Sequence, residues 1–450
     1  MNYSLRLPIH LYQEMLKDLH RIHGVEQAVF GLAGEISSGL DKTFLLRDLY
    51  LVPEDQYISH GPSHFEVKEG FVSMVIKGAL IDTASIVMAH IHPLSSGDAN
   101  FSGIDDGYEP KLLQYIQQAL PEAHFICMVH HPNGTWAARV YPPDRSRPAP
   151  IENLTVMGRP TRNLLPTNSP ARNSPMDMVP EVFERQARAL GRESYRILRR
   201  LKVGIIGLGG TGSVVNQQLA HLGVGTIVQV DPDTIEESNL SRLVGAGSRD
   251  LGKPKVDVAK RVAANTAGGT HCIPIPCELD KPEAFTELKT CDVLFCCTDN
   301  VSSRRLANRL AVQYQIPLFD LGVSLKSDNG MLRYGNGEFR PVLPGGPCLE
   351  CMGVIDQDTL IQEVQGLAGT GYLNGEREPA VISFNSLMAS LAVTEFLSVF
   401  TGFTNYENDR ATIHSILEGL IFDASKALDP DCDCQSWQGM GDKLDFPLRQ

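Results

Sequence analysis

Residues 88–106 read MAHIHPLSSGDANFSGIDD, with two histidines one residue apart and a serine and several aspartates close behind. Imidazoles and carboxylates are the donor types that hold a zinc ion, although an isolated H-x-H pair is more often ordinary polar surface. If SIVMAHIH forms a strand, His90 and His92 project to one face, because strand side chains alternate with period two. The chain then loops and returns through FSGIDD, where Asp105 can supply a third ligand. Two imidazoles, one carboxylate and an open water position make a catalytic zinc site. Ser102, three residues before Asp105, is placed to donate to an oxyanion. Asp98 and Asp106 read as solvated loop acids, with Asp98 an alternative ligand.

A second set of residues lies about a hundred positions downstream. VGIIGLGGTGSVVNQQLAHLG reads as a buried strand, a glycine turn and a helix. Gly207, Gly209 and Gly212 satisfy G-x-G-x-x-G, and Gly210 is a further glycine in the turn. Such a turn lets backbone amides and a helix N-terminus approach phosphate. The next strand, GTIVQVD, ends at Asp231, where an acid can bind a ribose hydroxyl. That much suits a nicotinamide dehydrogenase equally well. Asn239 and Arg242 then follow, GKPK supplies Lys255, and DVLFCCTDN ends on Asp299 and Asn300. Hydride transfer has no need of this set. Adenylyl transfer does, because cations must stabilise a triphosphate and an acid can hold Mg²⁺. Cys348 and Cys351 form C-x-x-C, and Cys432 and Cys434 follow; four thiolates suit a structural zinc.

The elements that must position these residues divide into two patterns. LPIHLYQEMLKDLHRI has helical spacing, AVFGLAG and TFLLRDLYLV read as strands, and HFEVKEGFVSMVIKGAL as a helix. SIVMAHIH is a strand, KLLQYIQQAL a helix, and HFICMVHH with TWAARVY a strand pair, giving an α+β unit over 1–145. Residues 146–178 hold six prolines and read as a linker rather than a packed element. From 179 to 450, a helical ERQARALGRESYRILRRL precedes a strand–helix alternation, which predicts a doubly wound α/β sheet. A length of 450 residues suits two such domains, and 42% hydrophobic residues suffice for packed cores. The net charge of −13 is spread over both halves without a basic stripe, which argues against nucleic acid. No membrane-length apolar run or export signal stands out, so a cytoplasmic protein is expected. Ten cysteines in a chain this long are not a secreted disulfide framework.

Two resemblances follow from these motifs. G-x-G-G-x-G, then D-x-D-x-x-x-x-S-N-L-x-R, GKPK and CTDN resemble the ubiquitin-activating family, including the MoeB/ThiF sulfur-carrier adenylyltransferases, over about 180–435. That resemblance implies a Rossmann-like domain that uses ATP and Mg²⁺ to adenylate the C-terminal glycine of a ubiquitin-like protein. It implies that Asp231 holds the ribose, that Asn239, Arg242 and Lys255 address the phosphates, and that Asp299 helps bind Mg²⁺. ERQARALG is similar to the family segment whose arginine reaches ATP from a partner subunit, which implies a homodimer and assigns that arginine to Arg188. Cys432-x-Cys434 departs from the family's second C-x-x-C, and no cysteine lies between 352 and 431, including GYLNGEREPAVISFN, where many members carry a thioester cysteine. The adenylate is therefore expected to pass directly to an acceptor on another protein, such as a conjugating enzyme or a sulfur-transfer protein. Cys291, Cys296 and Cys297 read as core residues.

H-x-H-P followed by F-S-x-x-D-D resembles the JAMM (JAB/MPN) metalloproteases, which implies hydrolysis of bonds after ubiquitin-like C-termini by residues 1–145. Nine residues separate His92 from Ser102, two more than the family's usual spacing, and a longer loop is expected. The family's general acid/base comes early in the chain. Glu26 fits that place, with Glu35 its rival. The combined expectation is a bifunctional protein of a bacterial-type ubiquitin-like system, and the alternative is a sulfur-carrier adenylyltransferase with a trimming peptidase.

Overall fold

The computed structural model describes residues 1–94, 96–143, 147–170, 178–364, 372–373, 376–377, 379–404 and 410–448. The N-terminal unit begins with β1 (Asn2–Pro8), α1 (Ile9–Leu19) and the long hairpin β2 (Ala28–Ser38) and β3 (Asp41–Leu51). A small hairpin, β4 (Tyr57–His60) and β5 (Phe65–Val67), leads to α2 (Glu69–Asp82) and β6 (Ser85–Ile91). Then come α3 (Gly103–Ala119), β7 (Phe125–His130), β8 (Trp136–Tyr141), β9 (Ala149–Pro150), β10 (Asn153–Met157) and β11 (Arg162–Leu164). Apart from β4 and β5, these strands form one sheet in the order β11-β10-β1-β3-β2-β6-β7-β8-β9.

β6 is buried along its whole length because both sheet faces are covered. Ile86 and Met88 pack into the cluster that takes Phe71 and Val75 of α2 and Leu112 and Ile116 of α3. Val87, Ala89 and Ile91 pack the other way, with Leu11, Met15 and Leu19 of α1. The two-residue period that sorts these apolar side chains puts His90 on the α3 face.

The unpacked linker expected over 146–178 is not what the chain builds. β10 runs parallel to β1 from Ser4↔Asn153 to Pro8↔Met157, and β11 pairs with β10. Pro150, Pro160 and Pro166 fall at strand ends or between strands, where a missing amide donor costs no ladder bond. Asn168 then clamps β8, accepting from Ala138 N at 3.0 Å and donating to Ala138 O at 2.9 Å. The N-terminal unit thus runs to about residue 170 rather than 145, and residues 171–177 lie outside the described residues. The helix expected over 64–80 begins as β5, and α2 starts only at Glu69.

The second unit opens with α4 (Glu184–Leu190) and α5 (Arg192–Arg200), which break at Gly191, where φ is 89°. β12 (Lys202–Ile206), α6 (Gly210–His221), β13 (Thr226–Val230), α7 (Lys255–Ala264), β14 (His271–Ile275), α8 (Pro282–Leu288), β15 (Val293–Cys296), α9 (Val301–Gln313) and β16 (Leu318–Asp328) alternate as the sequence predicts. They are followed by β17 (Met331–Val342), α10 (Gln357–Val364), β18 (Tyr372–Leu373), β19 (Glu376–Arg377), α11 (Ile382–Thr401), β20 (Thr412–Ser415), β21 (Leu420–Asp423) and α12 (Cys434–Trp437). The sheet order is β14-β13-β12-β15-β16-β17-β20-β21, parallel as far as β16 and antiparallel beyond it. Strand order reverses between β12 and β15, the crevice in which Rossmann-like sheets take ligands. Against the expectation that no apolar run reaches membrane length, α11 is long and apolar enough to cross a membrane, but Met388, Ala392, Phe396 and Val399 on it are buried in the domain core.

The two units share a core. Ile36 of β2 and Leu45 of β3 belong to one buried cluster with Ile206, Leu294, Leu310, Tyr314 and Cys348. Polar ties cross the same junction: Arg6 donates to Tyr314 O at 3.2 Å and Cys291 O at 3.1 Å, and Gln315 to Leu46 O at 2.6 Å. β6 leaves the edge of β2 open after Ala33, and residues 439–442 cover it. Gly34 admits this approach, since a Cβ there would collide with the Gly439 carbonyl. Asp442 N donates to Glu35 O at 2.7 Å, and Ser37 N donates to Asp442 Oδ2 at 2.8 Å.

Candidate functional sites

His90, His92 and Asp105 converge. His90 Nε2 is 3.0 Å from Asp105 Oδ1 and 3.0 Å from His92 Nε2, and His92 Nε2 is 3.4 Å from Asp105 Oδ2. Ligands about 2.0–2.1 Å from a tetrahedral zinc stand about 3.3 Å from one another, so the donor set and its spacing fit that ion. His90 is fully buried, and its Nδ1 has no hydrogen-bond partner among the described residues. Burial works against the Asp105 carboxylate, but hydrogen bonds from both imidazoles hold it well below the usual range.

Glu26 completes the group. Its Oε1 is 3.8 Å from His92 Nε2, and burial pushes its carboxyl up to about 7 against the opposing pull of His92. A carboxyl balanced near neutrality can both take and return a proton. Glu35 is elsewhere: it accepts from Ser85 Oγ at 2.5 Å, pairs with His124 Nδ1 at 3.0 Å, and accepts from Lys42 Nζ at 2.7 Å. Of the two glutamates, only Glu26 adjoins the triad.

The longer loop before Ser102 is tied down on its way. Asn133 Nδ2 donates to Gly97 O at 2.9 Å, Ala99 N donates to Thr135 Oγ1 at 2.8 Å, and Thr167 Oγ1 donates to Ala99 O at 2.5 Å. Ser102 lands as the N-cap of α3, its Oγ accepting from Asp105 N at 3.2 Å while Asp105 Oδ2 accepts from Ser102 N at 2.6 Å. A hydroxyl that accepts there still has its own proton to donate. Asp98 is exposed and accepts from Asn133 Nδ2 at 3.4 Å, outside the triad. Asp106 is not merely a solvated loop acid, since it accepts from Arg139 Nη1 at 2.8 Å.

Cys348, Cys351, Cys432 and Cys434 also cluster, despite the shortened second pair. Cys348 Sγ is 3.7 Å from Cys351 Sγ and 3.8 Å from Cys432 Sγ, and Cys351 Sγ is 3.7 Å from Cys434 Sγ. Thiolates about 2.3 Å from a tetrahedral zinc stand about 3.8 Å apart. Four sulfurs at this spacing fit a structural zinc.

The third site is the crevice at the strand switch. Gly207 has φ of 87° and abuts the Cys297 carbonyl; Gly212 abuts the Gly207 carbonyl, and Gly210 abuts Asn385. Gly209 faces open space, the side from which phosphate can approach the start of α6. Asp231 is buried below the turn, accepting from Leu208 N at 2.6 Å and Asp233 N at 2.9 Å. Lys255 Nζ is 3.6 Å from Asp231 Oδ1 and 2.6 Å from Asp233 Oδ2. Burial opposes the Lys255 charge, and the carboxylates of Asp231, Asp233 and Asp299 outweigh it and raise its pKa. Arg242 donates to Ser238 O at 2.7 Å and lies beside Gly210. Asn239 spends its carbonyl on a local cap, accepting from Glu236 N at 3.1 Å. Asn300 likewise caps α9, accepting from Ser303 N at 2.7 Å, and Asp299 beside it is exposed. Arg188 is exposed on α4 and makes no ion pair among the described residues. Cys291 and Cys296 are buried, and Cys297 is half-buried against the glycine turn.

A match to the ThiF family spans residues 183–436, more than half of the chain and the whole of this crevice. The chain belongs to the ThiF family. Among curated relatives, it is 35% identical over 188 residues to the adenylyltransferase and sulfurtransferase uba4 of Aspergillus clavatus, covering 40% of this chain and 38% of that protein. It is 30% identical over 163 residues to the SAMP-activating enzyme E1 of Haloferax volcanii, covering 36% of this chain and 57% of that one. The chain thus spans less than two thirds of either relative. E. coli MccB with MccA-N7isoASN aligns over 57% of this chain and 75% of its own, with a TM-score of 0.47 and 19% identity.

Within this ThiF crevice, sequence reasoning missed several residues. Asp233 holds Lys255, and the second acid of DPD was its only signal. Arg304 donates to buried Asp320 at 2.8 Å and to Thr298 O at 3.1 Å, pinning the turn before Asp299. Glu363 of α10 caps α9 beside Asn300, accepting from Val301 N at 3.0 Å, Ser302 N at 2.8 Å and Ser302 Oγ at 2.6 Å. Of GYLNGEREPAVISFN, residues 371, 374–375 and 378 lie outside the described residues.

Proposed function

We propose that this chain adenylates the C-terminal carboxylate of a ubiquitin-like or sulfur-carrier protein, and that its N-terminal unit hydrolyses a peptide or isopeptide bond at that same terminus. The observation that carries the reading is the crevice at the strand switch, where Gly209, Asp231, Arg242, Lys255 and Asp299 gather within the ThiF match. In adenylation, a carboxylate oxygen bonds to the α-phosphorus of ATP, the bond to pyrophosphate breaks, and an acyl adenylate remains. Asp231 receives the ribose hydroxyls, the turn amides with Asn239, Arg242 and Lys255 receive the phosphates, and Asp299 with Asn300 would hold Mg²⁺ to offset triphosphate charge. Arg188 serves the second copy of a homodimer.

In the N-terminal unit, zinc held by His90, His92 and Asp105 would polarise the scissile carbonyl. Glu26 takes the proton of the attacking water and returns it to the leaving amine, while the Ser102 hydroxyl donates to the oxyanion. Hydrolysis leaves the free carboxylate that adenylation consumes, so the two steps run in order on one terminus. Cys348, Cys351, Cys432 and Cys434 would hold a second, structural zinc.

ATP–pyrophosphate exchange tests this reading. Exchange is expected with glycine-ended ubiquitin-like proteins and to fall by about 10²-fold or more in Asp299→Ala. No exchange with any such protein would sink the activation claim. The sulfur-carrier alternative is favoured by the absence of cysteine from 352 to 431 and by relatives named as sulfurtransferases. It requires a thiocarboxylate product, whereas conjugation requires adducts between the carrier and other proteins.

A further inference from the structure

We propose that Arg139 is a positioning residue for the His90–His92–Asp105 centre and sets how tightly that centre holds its metal. The proposal rests on the zinc reading given above. Arg139 lies on β8, level with Cys127 of β7 and Met88 of β6, so it shares the sheet face that carries His90. Its guanidinium is almost fully buried and grips the ligand-bearing segment at three points. Nε and Nη2 both reach Glu109 Oε2 at 2.7 Å, Nη1 reaches Asp106 Oδ1 at 2.8 Å, and the carbon of the guanidinium lies 3.8 Å from the centre of the Phe101 ring.

These three contacts bracket the residues that matter. Phe101 precedes Ser102, Asp106 follows Asp105, and Glu109 stands one turn beyond Asp105 on α3. Asp105 meets the imidazoles only if the first turn of α3 is held at the right height and rotation above β6. The loop from 93 to 101 is too long to enforce this by its length alone, and its ties, at Gly97, Ala99 and the Asn100 backbone, stop short of α3. Glu109 is wholly buried, and a carboxylate there requires a partner. A planar fork of five donors can serve two carboxylates and a ring face together, which an ammonium cannot.

The experiment loads the full chain with Co²⁺ in place of zinc. Thiolate-bound cobalt gives intense sulfur charge-transfer absorption, and an imidazole–carboxylate site gives only weak visible bands, so the two centres are read separately in one sample. Competition with a chelator should show cobalt held about 10- to 100-fold more weakly at the imidazole–carboxylate centre in Arg139→Met. The thiolate bands should be unchanged, and Arg139→Lys should restore only part of the affinity. Asp106→Ala removes one exposed tie without stranding a buried charge, and should weaken the same centre several-fold. It decides the matter if Arg139→Met fails to fold. Unchanged affinity at the imidazole–carboxylate centre in every folded variant overturns the proposal. Absence of the weak bands in the wild type removes the zinc reading itself, and the proposal with it.

Discussion

The two side-chain clusters that fit zinc differ in what they leave free. The thiolate cluster uses four donors at near-tetrahedral spacing, and its sulfurs come from two segments about eighty residues apart. The imidazole–carboxylate cluster uses three, all within residues 90–105, and its remaining side is bordered by Glu26, with Ser102 capping the helix that brings Asp105. A closed shell joins distant chain segments and has no position for a reactant. An open shell on a prebuilt strand and helix contributes little to folding and keeps a position for chemistry.

The largest expected effect breaks the thiolate shell. Cys348→Ser should remove binding energy on the order of 10 kcal/mol from the folded state and abolish cooperative thermal unfolding of the second unit. His90→Ala should leave that transition nearly in place. Equal losses of melting temperature in calorimetry would erase the distinction. The next effect concerns the open shell: Glu26→Gln should slow cleavage of a C-terminally extended carrier by about 10²–10⁴-fold with metal content unchanged. Loss of metal in that variant would make Glu26 a ligand instead.

The smallest effect lies away from both clusters, at Glu35. Burial alone would raise its pKa, but hydrogen bonds and charges from His124, Lys42 and Lys443 outweigh burial and depress it. A depressed carboxyl stabilises the fold above the ordinary glutamate range and loses that contribution as pH falls through and below it. Because Lys443 and Asp442 bring the tail to Glu35, acid should loosen residues 439–443 first. The protection of the Asp442 amide, its exchange rate corrected for the intrinsic rate at each pH, should fall as pH drops below about 5 in the wild type. In Glu35→Gln, exchange should already be fast at neutral pH. Protection at that amide that does not change with pH would count against the assignment.

The sequence made the donors legible because their types and spacing are local. His90 and His92 show their common face through strand alternation, and Asp105 shows itself in F-S-x-x-D-D, three residues after Ser102. The parallel sheet was readable from strand–helix alternation, and Gly207 and Gly212 from the turn they permit. What escaped depends on long-range contacts. β1 merged with the start of α1 in the pattern LRLPIHLY, and its pairing with β10 crosses about 150 residues of chain. Arg139 looked like one charge in an apolar strand, since Glu109 and Asp106 reach it only when α3 packs on the sheet. Glu363 had no local signal either, because the amides it caps belong to α9.

The strip of chain at 439–442 has a consequence for the order in which the molecule is made. It covers the edge of β2 beyond Ala33, a strand that leaves the ribosome roughly four hundred residues earlier. Until then, Gly34 to Ser37 present unpaired backbone on that side, the kind of edge that invites wrong partners. Ile36 and Leu45 also wait for Tyr314 and Cys348 to complete their cluster. The histidine-bearing unit therefore reaches its final packing only when the nucleotide-binding unit has been synthesised, so a nascent chain cannot carry a finished first half without its second.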